Sequence, residues 1–152
     1  MAYTGRCSCG EVRYRISRAP IFTHACHCRL CQRSTASAFI LHSFIEADHF
    51  HLEQGQLKPW DGATGSGKGQ KIWRCAHCSD QIFSIYHGKD KRLLLKTASL
   101  DDAERFPPEA HIFTARKLDW VTLDDRVPQF DRAYDRQTLF NAESLQRFTA
   151  LD

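Results

Sequence analysis

The sequence contains no long hydrophobic run, and this absence argues against a helix that crosses a membrane. Its longest apolar stretches, such as residues 38–41 and 93–95, fall far short of the roughly 18 residues that a span requires. Residues 1–6 also lack the apolar stretch of a secretory signal. We therefore expect a cytoplasmic protein without a membrane partner.

Charge of one sign is not concentrated anywhere in the chain. The 21 basic and 18 acidic residues give a net charge of +3 and are scattered instead of forming blocks. A nucleic-acid-binding protein more often has a dense basic stripe, so the pattern argues against such a partner. A mild positive balance would help to hold an anionic small molecule, and the sequence leaves a homo-oligomer open.

Large apolar side chains are plentiful enough for one domain. The 152 residues are 42% hydrophobic and include ten Phe, four Tyr and three Trp. These side chains can build a core without crosslinks, and they exclude disorder as the state of the whole chain.

Seven cysteines are the most informative residues, and each belongs to a short cluster. The spacings are C-x-C, C-x-C-x-x-C and C-x-x-C, formed by Cys7, Cys9, Cys26, Cys28, Cys31, Cys75 and Cys78. A disulfide framework fits poorly, because seven is odd and no secretory signal is seen. A thioredoxin-type C-x-x-C would account for only two of the seven. Metal binding accounts for all of them.

Zinc chemistry divides seven cysteines naturally into four and three. A structural zinc takes four protein ligands, whereas a reactive zinc takes three and leaves a position for water or substrate. We therefore predict two zinc ions per chain. The triplet Cys26, Cys28 and Cys31 is the best candidate for the open site, since its thiols lie within six residues. Two alternatives stay open here: the two C-x-x-C pairs could meet as a zinc ribbon, and thiolates also suit iron-sulfur clusters.

Histidines and a glycine-rich stretch receive structural interpretations. His27 and His77 lie between cysteines, where spacer residues usually point away from the metal, so we expect both to face solvent. Surface or core-edge positions are predicted for His24, His42, His49, His51, His87 and His111. Residues 62–69 nearly match a phosphate-binding loop, but Gly69 replaces the hydroxyl residue that would hold magnesium. We predict a flexible hairpin tip there.

The fold is predicted to be mainly β and mainly antiparallel. Residues 11–17 alternate polar and apolar side chains, which is typical of a half-buried strand. Further strands are predicted at residues 38–44, 49–53, 71–74, 82–86, 92–97 and 110–114. Residues 58–61 are predicted to form a turn. The tail, residues 133–152, has Leu and Phe at near-helical spacing, so we expect one amphipathic C-terminal helix packed on a domain of residues 1–132.

Three segments in this order resemble the glutathione-dependent formaldehyde-activating enzyme family, which also includes centromere protein V. They read GRCSCGEVRY at residues 5–14, CHCRLCQR at residues 26–33 and CAHC at residues 75–78, and later matches extend the likeness to about residue 131. The resemblance implies a tent-like, mostly β fold around a structural zinc. It assigns Cys7, Cys9, Cys75 and Cys78 to that zinc, and Cys26, Cys28 and Cys31 to a catalytic zinc. The chain departs from the family pattern at Gln32, Ala36 and Ser79.

The resemblance also implies an activity. It predicts reversible addition of a small-molecule thiol, glutathione by analogy, to formaldehyde or a similar aldehyde. Such an enzyme would be a carbon-sulfur lyase resembling S-(hydroxymethyl)glutathione synthase. Candidate partners for the carboxylates of the thiol are Arg29, Arg33, Lys68, Lys71 and Arg74. The alternative is a non-catalytic, zinc-stabilised module that binds protein or nucleic acid.

Overall fold

Eleven strands and three short α-helices form the fold, in a computed structural model that describes residues 1–152. In chain order the strands are β1 (Tyr3–Arg6), β2 (Arg13–Ile16), β3 (Phe22–Cys26), β4 (Ile40–Glu46), β5 (Phe50–Gln54), β6 (Leu57–Gly62), β7 (Gln70–Cys75), β8 (Gln81–Tyr86), β9 (Arg92–Lys96), β10 (Ala110–Ile112) and β11 (Gln129–Phe130). The helices are α1 (Arg29–Thr35), α2 (Arg136–Leu139) and α3 (Ala142–Thr149). Short 3-10 turns occupy Ala47–His49, Thr97–Ser99, Ala103–Arg105 and Thr114–Arg116.

The strands form two sheets, which confirms the prediction of a mainly β fold. The smaller sheet has the order β1-β2-β5 and is antiparallel throughout. The larger sheet has the order β11-β10-β3-β4-β9-β8-β7-β6. Its central pairs are antiparallel, but β10 runs parallel to both β3 and β11. The larger sheet is therefore mixed at one edge.

The main core lies between the two sheets. The alternation predicted for residues 11–17 appears in β2, where Tyr14 and Ile16 are fully buried. They pack with Ile45 of β4 and Leu93 and Leu95 of β9, which face them from the larger sheet. Burying side chains of this size contributes about 1.5–3 kcal/mol each.

The opposite face of the larger sheet is covered by the C-terminal helices. Phe140 and Phe148 pack on Phe22, with the rings of Phe22 and Phe140 stacked at 4.4 Å. The segment forms two helices instead of the single predicted one. The reason is local: the Asn141 side chain accepts a hydrogen bond from the Ser144 amide at 2.9 Å and starts a new helix after Phe140.

Arg147 anchors α3 to the sheet through a buried ion pair. Its guanidinium donates to both carboxylate oxygens of Glu46 on β4, at 2.8 and 2.9 Å, and also to the Ala19 carbonyl. Burial alone would raise the pKa of Glu46, but the hydrogen bonds from Arg147 outweigh it and the pKa is lowered.

Residues 58–61 are not the predicted turn, since they belong to β6 and pair with β7. Pro59 misled the prediction, because proline usually interrupts a sheet. It is tolerated here since β6 is an edge strand, which pairs with a neighbouring strand on one side only. The glycine-rich residues that follow join β6 to β7, as the predicted hairpin tip requires.

The helices are all short. Measured against the length and hydropathy that a bilayer span demands, none of them qualifies as a membrane-crossing segment.

Candidate metal centres

Four cysteines from distant parts of the chain meet at one point. Cys7 and Cys9 follow β1, Cys75 ends β7, and Cys78 lies in the turn after it. All four sulfurs lie within 4.8 Å of one another; the Cys7 and Cys9 sulfurs are 3.3 Å apart, and those of Cys9 and Cys75 are 3.9 Å apart. The cluster therefore links the smaller sheet to the larger one.

Backbone amides point at the sulfurs of this four-cysteine cluster. The Val12 amide donates to Cys7 Sγ at 3.3 Å, and the amides of His77 and Cys78 donate to Cys75 Sγ at 3.4 and 3.5 Å. Desolvation raises the pKa of Cys78, but backbone hydrogen bonds from Asp80 and Cys9 outweigh this effect and lower the pKa to about 7. The turn after β7 thus favours the thiolate of Cys78, which is the form that binds metal. The backbone hydrogen bond from Glu11 would lower the pKa of Cys9, but desolvation and the neighbouring thiols outweigh it and raise that pKa to about 12.

The second cluster is the triplet, and it is local. Cys26 ends β3, Cys28 is the N-cap of α1, and Cys31 lies in the first turn of that helix. The three sulfurs lie within 4.8 Å of one another, and the Cys31 amide donates to Cys28 Sγ at 3.4 Å. Hydrogen bonds from the thiols of Cys26 and Cys31 lower the pKa of Cys28 well below its ordinary value.

Both clusters have the donor set that zinc requires. Two sulfurs bound tetrahedrally to one zinc at about 2.3 Å lie about 3.8 Å apart. In the four-cysteine cluster the separations of 3.3 and 3.9 Å bracket this value, and the triplet sulfurs lie within 4.8 Å of one another. The predicted division into four and three cysteines matches the geometry. The zinc-ribbon alternative is wrong, because the two C-x-x-C pairs lie in different clusters.

No fourth side chain joins the triplet to form a closed site. The nearest candidates in the sequence are His27 and His24, and neither has a ring nitrogen within 4.8 Å of all three sulfurs. His27 Nε2 lies 3.0 Å from His111 Nδ1, and His24 Nδ1 lies 2.9 Å from the Tyr134 hydroxyl. The triplet therefore offers three protein ligands, as a reactive site requires.

The prediction that His27 faces solvent is wrong. Its side chain is fully buried, and desolvation with the charge of His111 lowers its pKa to about 4. The reason is that the His27 amide joins the sheet by donating to the Ile112 carbonyl, which turns the ring inward towards β10. His77 is exposed, as predicted.

A buried polar row crosses the larger sheet next to the triplet, and sequence reasoning missed it. His24, His42 and Lys96 lie opposite one another on β3, β4 and β9. Lys96 Nζ lies 3.2 Å from His42 Nε2 and donates to Ser84 Oγ on β8 at 2.9 Å. The available signal was a lysine directly after the apolar run of residues 93–95.

Burial shifts the pKa values of these groups strongly. Desolvation lowers the pKa of Lys96 to about 8. Desolvation, with the charge of Lys96, also lowers the pKa of His24 to about 3 and keeps His42 well below its ordinary range. Both imidazoles are therefore neutral at pH 7.

An open cleft of about 1170 Å³ runs from the four-cysteine cluster towards the triplet. Its walls include four cations and two acids, which are Arg6, Arg13, Arg74, Lys96, Asp80 and Asp101. It also reaches Thr35 at the end of α1, whose hydroxyl donates to the Cys31 carbonyl. The triplet sulfurs themselves do not line it.

The five basic residues singled out in the sequence have different surroundings. Arg74 lines the cleft. Lys71 forms an ion pair with Asp61 at 2.6 Å on the exposed β6–β7 hairpin, and Arg29 donates to Gln32. Arg33 and Lys68 are exposed. Only Arg74 of this set is placed to meet a ligand in the cleft.

The positions that depart from the family pattern have informative backbone conformations. Ala36 closes α1 with φ of 50°, and Ser79 follows Cys78 with φ of 67°. These are left-handed conformations that favour glycine. Phe113, which packs against the triplet, is also left-handed, with φ of 55°.

Gln32 is buried and donates to the carbonyls of His27 and Arg116, so it ties α1 to the loop after β10.

The fold and the two clusters define a β protein with one four-cysteine and one three-cysteine centre. Residues 2–116 match the family described as "Glutathione-dependent formaldehyde-activating enzyme", and the chain belongs to this family. A Halomonas elongata protein named for the same family is 26% identical over 141 residues, covering 83% of this chain and 83% of that protein. This chain is also similar to a Rhodobacter sphaeroides protein of known crystal structure, with 15% identity and a TM-score of 0.49 over 84% of this chain and 98% of that protein.

Proposed function

We propose that the protein is a zinc-dependent carbon-sulfur lyase that catalyses reversible addition of a thiol to formaldehyde or a similar small aldehyde. By analogy with its family, glutathione is the thiol. The observation that carries the proposal is the triplet, in which three thiols converge without a fourth protein ligand. A purely structural site would be expected to supply four ligands from the chain.

Cys26, Cys28 and Cys31 would hold the catalytic zinc, and Cys7, Cys9, Cys75 and Cys78 a structural zinc. When bound, zinc would lower the pKa of a thiol placed at the fourth position and so favour the thiolate. In the reaction the thiol loses its proton, its sulfur forms a bond to the aldehyde carbon, and the carbonyl oxygen gains a proton. The reverse reaction breaks the same carbon-sulfur bond and returns the proton to sulfur.

The cleft supports an anionic thiol as the substrate. Arg6 is partly neutralised by its ion pair with Asp101 at 3.2 Å, but Arg13 and Arg74 form no ion pair with a carboxylate. Unpaired cations on the wall of a cleft attract carboxylates, and glutathione has two of them. We propose that its peptide portion lies in this cleft and that its sulfur reaches the triplet past Thr35.

The experiment is a rate measurement on zinc-loaded protein. Glutathione and formaldehyde are mixed at equilibrium, and exchange between free and S-hydroxymethyl glutathione is followed by NMR with and without protein. We expect the protein to accelerate exchange, and Cys31→Ala to abolish the acceleration while the four-cysteine cluster stays intact. Glu53→Gln, at an exposed ion pair with Arg15 on the smaller sheet and outside the cleft, serves as the control that keeps full activity.

An unaccelerated exchange rate with two zinc ions bound would overturn the choice of substrates. A single zinc per chain, held by the four-cysteine cluster alone, would instead favour the non-catalytic binding module.

A further inference from the structure

A buried lysine without an acidic partner lies near the triplet. Lys96 is 8% exposed, and its ammonium contacts only neutral groups, Ser84 Oγ at 2.9 Å and His42 Nε2 at 3.2 Å. Because an ammonium can only donate, His42 Nε2 must accept and the imidazole must be neutral. A buried cation that no anion balances is costly, so the structure calls for a compensating negative charge nearby.

The sheet register places Lys96 on the same face of the larger sheet as Cys26, the first cysteine of the triplet. On the face of the larger sheet that carries Lys96, His42 lies opposite it, and Ile40, two residues earlier on β4, lies opposite Cys26. Desolvation lowers the pKa of Lys96, and negative charge on Cys31 or Cys26 would oppose that shift. Metal binding requires deprotonated cysteines, so a zinc-loaded triplet would supply the negative charge that Lys96 lacks.

We propose that Lys96 is a positioning residue for the three-cysteine centre, where its buried ammonium, fixed by His42 and Ser84, offsets the negative charge of the thiolates. The inference rests on the proposed function in one respect, that the triplet holds zinc. Three thiolates exceed the charge of one Zn²⁺, and a fourth thiolate from the substrate would increase the excess. A fixed cation nearby would stabilise the zinc-loaded triplet both without and with the substrate thiolate, and the thiolate-bound state more.

Arg92 provides a matched control on the same strand. It is also buried, at 6% exposed, and lies on the same face of β9. Its charge is balanced locally, since its guanidinium is 3.3 Å from the Asp152 carboxylate and 4.0 Å from the centroid of the Phe148 ring. Loss of this cation should weaken the packing of α3 without affecting the triplet.

The test measures zinc affinity in the full chain by competition with a chromophoric chelator, without glutathione or aldehyde. The wild type should show two zinc dissociation constants, and the one that is lost in Cys28→Ser belongs to the triplet. We expect Lys96→Met to raise this constant about ten- to a hundredfold, the range typical of groups just outside a metal's ligand shell. The constant of the four-cysteine cluster should stay unchanged, which also shows that the variant is folded. Lys96→Arg, which keeps the charge, should recover most of the affinity.

A second readout tests the effect on the substrate. In the zinc-loaded protein, Lys96→Met should weaken glutathione binding by calorimetry, whereas Arg92→Met should leave both zinc and glutathione affinities as in the wild type. Equal loss of both zinc sites in Lys96→Met, or an unchanged triplet constant, would overturn the proposal. If the wild type fails to accelerate the exchange reaction yet Lys96→Met still weakens zinc binding at the triplet and not at the four-cysteine cluster, the catalytic proposal fails and the role of Lys96 stands.

Discussion

Replacing one cysteine in each cluster should produce very different losses of stability. Cys9 and Cys75 lie 66 positions apart, so a metal that joins them closes a long loop between the two sheets. For a crosslink that closes a loop of this length, the chain-entropy model gives about 4 kcal/mol. Typical domains have a total stability of only about 5–15 kcal/mol. Cys75→Ser should therefore remove a large fraction of the free energy of unfolding.

Cys28→Ser should cost little by comparison. The triplet spans only six residues, and α1 and β3 already hold them in place. Serine is a preferred helix N-cap, so its hydroxyl can replace the Cys28 sulfur as acceptor for the Cys31 amide. We expect a change below about 1 kcal/mol, within the range of substitutions that break no buried contact.

The assay is thermal unfolding of both zinc-loaded variants, with bound zinc measured on the same samples. At about 2–4 °C per kcal/mol for a chain of this size, Cys75→Ser should lower Tm by about 8–16 °C. Cys28→Ser should lose one zinc with a shift of only a few degrees. Equal changes in Tm for the two variants would refute the view that the four-cysteine cluster joins the two sheets while the triplet adds little to stability.

Three further predictions concern packing and charge. Phe148→Ala should cost about 3–5 kcal/mol in denaturant unfolding, because the ring is 2% exposed in the cluster beneath α3; a loss below 1 kcal/mol would contradict this packing. Glu46→Gln should cost about 3–5 kcal/mol because it leaves the largely buried Arg147 without its anionic partner, whereas Asp124→Asn at an exposed pair should have a much smaller effect. Folding lowers the pKa of Glu46, so its contribution to the free energy of unfolding is present above the unfolded pKa and is lost as pH falls through the folded pKa. Glu46→Gln should therefore flatten the acid side of a plot of unfolding free energy against pH. A plot parallel to that of the wild type would refute the role of this ion pair.

The parts of the fold that sequence could predict are those with local signals. Residues 11–17 alternate because one face of β2 is buried and the other is not, and the cysteine spacings are visible directly. Strand β3 gives no such signal, since all five of its residues are buried. The parallel pairing of β10 with β3 joins segments more than 80 positions apart, a relation that no local pattern encodes.

The candidate site shows the same division. The metal ligands could be named because their spacing is short, and their grouping is set by the turns that carry them. Lys96, His42 and His24 look like ordinary strand residues in the sequence, since their burial depends on the register of three strands. The break between α2 and α3 was missed because hydrophobic spacing continues across it, while the Asn141 cap that causes it is a single residue.

The left-handed residues Ala36, Ser79 and Phe113 have a practical consequence. Two of them close turns that carry cysteines and the third packs against the triplet, and each adopts a conformation that it would avoid in a free peptide. The surrounding chain thus holds the cysteine-bearing turns in conformations that fix where the sulfurs lie. Such preshaped cages should accept other thiophilic divalent ions of similar size, so cobalt would serve as a coloured reporter for each centre in turn.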